Sequence, residues 1–149
     1  MKKLFVTLAL MFAFVAISNA QIATLSIVEP DTYVDYSTNV TLTNAVAQYF
    51  IIKAPQDWYT AQAYTVNLDS LTGNHTNIAV VLAGQYSDQS SVWTTISTTN
   101  WANTTSDTTM TVVNATENGY RRYKVTFTGT GTGTTRIDRF EFKQYLGLP

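Results

Sequence analysis

The stretch RYKVTFTGTGTGTTRIDRFEFK, Arg122 to Lys143, decides the fold. Tyr123, Val125 and Phe127 alternate with Arg122, Lys124 and Thr126. That period of two places apolar side chains on one face of an extended chain and polar ones on the other, as in a half-buried β-strand. Phe140 and Phe142 repeat the pattern against Arg139, Glu141 and Lys143. Between the two runs, Gly129-Thr130-Gly131-Thr132-Gly133 reads as the flexible tip of a β-hairpin. Ile137 is out of phase with the two phenylalanines, and a β-bulge near Asp138 would return it to their face. The alternating charges at 139, 141 and 143 would discourage edge-to-edge pairing of this strand.

Working outward, the same signal recurs. Ile78 to Ala83 is apolar on both faces, which predicts an interior strand of a sheet. Tyr64, Val66 and Leu68 alternate with Thr65, Asn67 and Asp69. Val46 to Lys53 is apolar on both faces and ends at Ala54-Pro55. Shorter runs fall at Ile22–Ile27 (stopping at Glu29-Pro30), Asn39–Thr43, Val92–Ile96 and around Met110 and Val112. Polar clusters at 70–77, 86–90, 100–107 and 114–119 read as loops. Thr, Val, Ile, Tyr and Phe dominate after residue 20, and these types fit a pleated surface. Eight or nine short strands at this spacing predict an all-β chain, a single antiparallel two-sheet β-sandwich of jelly-roll-like form.

The front of the chain has a different texture. Lys2 and Lys3 precede an apolar run from Leu4 to Ile17, broken by Thr7, and Ser18-Asn19-Ala20 follows with small residues at a cleavage site. This is the layout of a secretory signal peptide, and the run is short for a membrane span, which takes about 20 residues. The expected organisation is a signal peptide over 1–20 and a β-sandwich domain over 21–149, secreted and not held in a membrane after cleavage. Loss of Lys2 and Lys3 takes the 9 basic residues to 7 against 10 acidic ones, a formal charge of −3. A mildly acidic chain argues against nucleic acid and anionic membranes as partners. The sequence contains 0 cysteines, so disulfides, thiolate metal sites and cysteine nucleophiles are excluded.

Few residues point to chemistry. His75 is the only histidine and stands in a polar run between Asn74 and Asn77, without the partners of a hydrolase triad, so it reads as a solvated loop residue. The GTGTG run lacks the Gly-Lys-Ser/Thr ending and the helix of a phosphate-binding loop. Asp57, Asp69, Asp88, Asp107, Asp138 and Glu141 are scattered, and no motif joins them into a catalytic pair. No enzyme and no cofactor are expected. Asp31 and Asp35, with Glu29 near, lie in a predicted loop and form a candidate calcium site. Asn39, Asn74, Asn103 and Asn114 begin glycosylation-type triplets of a kind that arises by chance in an Asn- and Thr-rich chain. The candidate ligand-binding residues are Trp58, Tyr86, Trp93 and Trp101. Exposed rings of this type stack on sugars or anchor protein interfaces, and the competing reading buries them in the core.

From Asn77 onward the chain resembles small β-sandwich accessory proteins of bacteriophage virions. The residues that carry this are Ala79-Val80-Val81-Leu82-Ala83-Gly84, Val92-Trp93-Thr94-Thr95-Ile96, Tyr120 to Val125, and Arg136 to Phe142. The same stretch is similar to discoidin-like sugar-binding modules, in which a strand with Trp precedes a closing pair of strands. The first resemblance implies a structural or adhesive component of a virion or secreted surface assembly, with self-association or other surface proteins as partners. The second implies a secreted carbohydrate-binding module, with glycans as partners and an exposed Trp93 or Trp101 beside Tyr86.

Overall fold

A computed structural model describes residues 19–26, 33–44, 46–54, 59–73, 75–87, 90–104, 107–114 and 119–146. Among the described residues nine strands are present: β1 (Asn19–Ser26), β2 (Tyr33–Leu42), β3 (Ala47–Lys53), β4 (Tyr59–Thr72), β5 (His75–Gln85), β6 (Thr94–Thr104), β7 (Thr108–Asn114), β8 (Arg122–Gly131) and β9 (Thr134–Leu146). They form two sheets, one in the order β1-β3-β8-β5-β6 and one in the order β2-β9-β4-β7. This is a β-sandwich with the strand order of a jelly roll, β1 being added at one edge. The β1–β3 pair is parallel, and every other strand pairing is antiparallel.

The alternating residues meet as their spacing requires. Phe50 and Ile52 of β3, Tyr123, Val125 and Phe127 of β8, and Ile78, Val80 and Leu82 of β5 point inward from the five-stranded sheet. Tyr64, Val66 and Leu68 of β4, Met110 of β7, and Ile137, Phe140 and Phe142 of β9 meet them from the other. Burial of such side chains is each worth roughly 1.5–3 kcal/mol relative to exposure. β5 lies between β8 and β6, so its two apolar faces are those of an interior strand. The β9 bulge falls at Asp138: Asn67 pairs with Arg139 and Leu68 with Ile137, which skips residue 138 and turns Ile137 to the core.

Several expectations are corrected. β8 and β9 are no hairpin, because they belong to opposite sheets and Thr132-Gly133 carries the chain across the sandwich. Both strands face the same core from its two sides, a pattern that sequence alternation cannot separate from pairing. β9 lies between β2 and β4, so the charges at 139, 141 and 143 guard no edge. They form a ladder on the outer face instead, where Arg139 binds Asp35 (2.5 Å) and Glu141 (2.8 Å). The 70–77 loop shrinks to a tight turn at Gly73, whose φ of 59° suits glycine. The 100–107 loop is strand through Thr104, and Asp35 lies in β2 rather than in a loop. Ile27, Glu29 and Pro30 lie outside the described residues.

Two buried glycines seat aromatic side chains at the core's margins. The Tyr120 ring rests directly against Gly84, where any Cβ would overlap it. His75 is not solvated: it is fully buried, and its Cε1 lies 2.5 Å from the position a Cβ on Gly129 would take. The first glycine of the GTGTG run is thus a packing surface.

Candidate functional site

The outer face of the five-stranded sheet carries the most distinctive arrangement. In β3, Tyr49, Ile51 and Lys53 point away from the core, opposite Thr126, Lys124 and Arg122 of β8. Next in register on β5 come Val81, Ala83 and Gln85. Val81 and Ala83, shorter than the Tyr49 and Lys124 side chains on β3 and β8, form a step in the surface.

The segment before β6 folds back over this step. The Ser90 amide donates to the Ser87 carbonyl (3.1 Å), and the Val92 amide donates to Ser90 Oγ (3.1 Å), a local turn of the kind serine favours. Gln85, almost fully buried, donates its amide to the Ser90 carbonyl and accepts from Arg122 Nη1 (3.0 Å). These bonds tie the segment to the sheet and bring the half-buried Trp93 over it. The Lys124 ammonium lies 5.0 Å from the Trp93 ring centre and 5.6 Å from that of Tyr49. The Arg122 guanidinium lies 5.4 Å from the Trp93 ring. Tyr49, Ile51, Trp93, Lys124 and Thr126 line a shallow cavity of about 250 Å³. It combines two aromatic rings, an apolar floor, a hydroxyl and a cation, a set suited to a small polar ligand with one apolar face.

The other candidate residues are dispersed. Trp101 pairs with Ile78 and packs against the core from β6. Tyr86 is 63% exposed, and its ring lies tilted against that of Tyr120, with centroids 4.3 Å apart and planes 41° from parallel. Trp58 and Asp31 lie outside the described residues, as do Asp57 and Asp88. Both Asp35 oxygens accept from Arg139, at 2.8 and 2.5 Å, and these bonds hold its carboxyl below the ordinary value. Among the described residues no group of three or more acidic or histidine side chains could hold a metal ion. Tyr49, Arg122 and Lys124 were not singled out in the sequence. Their meeting depends on the register of β3 against β8, which has no local signal.

A second concavity, about 610 Å³ and wide open, lies on the four-stranded sheet and is lined by Asn67, Leu68, Asp69, Asp107, Thr108, Thr109 and Asp138. Here two of the scattered acids do meet. A hydrogen bond with Asp107 raises the Asp69 carboxyl, and the same bond, with one from the Ser70 amide (3.0 Å), lowers that of Asp107. Arg136 bridges Asp69 and Asp138. Directly bonded carboxyls leave no room for a sugar between them, whereas glycoside hydrolysis needs about 5 Å or more.

No protein-family model matches the chain, and no curated protein matches it. Among solved structures it is similar to a CBM4 carbohydrate-binding module, with a TM-score of 0.51 and 13% identity over 75% of this chain and 70% of that one. Weaker likenesses are to a xylan-binding module, CBM15 (TM-score 0.44, 15% identity, 82% of this chain and 96% of that one), and to a family 16 carbohydrate-binding module (TM-score 0.43, 11% identity, 67% and 72%). At such identities the first likeness establishes the β-sandwich fold. It is the fold expected of discoidin-like modules, and no virion protein is among these likenesses.

Proposed function

We propose that this chain is a secreted, non-catalytic glycan-binding β-sandwich, with the outer face of the five-stranded sheet as its binding surface. The observation that carries this is the placement of Trp93 and Tyr49 at one shallow cavity, with Thr126 and Lys124 beside them. A pyranose presents an apolar C–H face that stacks on an aromatic ring, and its hydroxyls need nearby donors and acceptors. The cavity supplies both. The jelly-roll likeness to a carbohydrate-binding module supports the reading at the level of fold, and function rests on the site. An adhesive role follows if the glycan belongs to a surface.

The mature protein begins at Gln21 in this reading. β1 would then keep Gln21 to Ser26 on β3 and lose the pairs Asn19–Ala47 and Ala20–Gln48. Intact mass of the exported protein checks the start. The binding test is retention on a panel of insoluble and soluble polysaccharides, comparing the wild type with Trp93→Ala and Trp101→Phe. Retention by at least one polysaccharide is expected, lost in Trp93→Ala and kept in Trp101→Phe. Wild type that binds no member of a broad panel, or Trp93→Ala that binds as wild type does, overturns the proposal.

A further inference from the structure

Among the described residues, the charges are segregated between the two sheets. The described acids are Asp35, Asp69, Asp107, Asp138 and Glu141. Four stand on strands of the four-stranded sheet, and Asp107 stands just before β7 and binds β4. The five-stranded sheet carries Lys53, Arg122 and Lys124, with Arg121 immediately before β8 and no described acid. Among the described residues, the five-stranded sheet is therefore the cationic one of the two.

Of the cations of that face, Lys124 lines the aromatic cavity and Arg122 lies against its Trp93 ring. Lys53 and Arg122 are register partners, and Lys124 follows two residues along β8. Among the described residues no carboxylate pairs with Lys124. Its ammonium rests against two ring faces, an arrangement that orients a charge without neutralising it. On the opposite sheet Arg136, Arg139 and Lys143 each contact a carboxylate.

We infer that the ligand of this face is an anionic glycan, one bearing uronic acid carboxylates or sulfate esters, with the sugar ring on Trp93 and Tyr49 and its anionic group on Lys124. This rests on the glycan-binding reading and adds the charge of the substrate. A neutral sugar would use the rings and gain less from the Lys124 ammonium than an anionic one does. An anionic one forms charge-assisted hydrogen bonds at the cavity rim.

The test uses the full mature protein and two matched pairs of polymers: polygalacturonate against its methyl ester, and dextran sulfate against dextran. The expected result is binding about tenfold tighter to the charged member of at least one pair, weakened by salt. Lys124→Gln should lose about tenfold on that polymer, the equivalent of one charge-assisted bond, and lose clearly less on its neutral counterpart. Lys143→Gln, the same charge change on the other sheet, should bind as wild type. Equal binding within both pairs, sensitive to Trp93→Ala, overturns the anionic preference and leaves glycan binding standing. Equal losses in Lys124→Gln and Lys143→Gln reduce the effect to net charge and overturn the site. Tighter binding to oligothymidylate than to either charged polymer overturns it in favour of a nucleic acid.

Discussion

The rings of Phe50 and Phe140 lie face to face across the sandwich, with centroids 4.2 Å apart and planes 9° from parallel. One comes from β3 and the other from β9, so a single stack bridges the two sheets. Phe127 meets both edge-on, at 6.0 and 6.3 Å, and Tyr36 closes on Phe50 at 6.0 Å. Phe140→Ala should cost about 3–5 kcal/mol, because the cavity it leaves is walled by rings held in two sheets. Phe140→Leu should cost less. Urea denaturation followed by tyrosine and tryptophan fluorescence measures both, and a loss under 1 kcal/mol for the alanine variant would count against this packing.

Gly84 is expected to be intolerant of any side chain. A Cβ there collides with the Tyr120 ring, so Gly84→Ala should cost about 1–3 kcal/mol through displacement of that ring. In the background of Tyr120→Ala the same substitution should cost much less. A double-mutant cycle reads the coupling directly, and strictly additive losses would show that the two residues do not touch.

Acid should remove one specific contribution to stability. Asp35 is held low chiefly by its hydrogen bonds to Arg139. Its folded pKa lies below the unfolded value of about 3.9, so the stabilisation is complete above that pH and is lost as pH falls through the folded value. Asp35→Asn should therefore lower the melting temperature at neutral pH, with the gap closing below about pH 4 and narrowing in high salt. A gap that stays constant on acidification would contradict this ion pair.

The sequence made the inward residues readable where strands alternate cleanly, as at Tyr123, Val125 and Phe127, and even placed the bulge at Asp138. It did not reveal partners. Gly129 to Gly133 looks the same whether it closes a hairpin or crosses between sheets, because both need only flexible backbone. β6 was cut short because Thr98, Thr99 and Asn100 give no apolar alternation, their strand being fixed by β5 beside it. His75 was misplaced because burial against Gly129 is a long-range contact. Of the three proposed ligand residues that are described, Tyr86, Trp93 and Trp101, Trp93 alone lines the cavity. Its separation from Trp101 depends on the register shift opposite Leu82 and Ala83, a feature of pairing rather than of composition.

The position of β9 has a consequence for how the molecule is made. Although ninth in chain order, it occupies the middle of its sheet, between β2 and β4. Until its 13 residues are available, β2 has no partner strand and β4 is paired only with β7. Synthesis runs from the N-terminus, so the nascent polypeptide holds half a core with no lid for most of its time on the ribosome. A protein wired in this way stays pliable until its last strand is released and locks only then, which makes synthesis and folding consecutive events rather than competing ones.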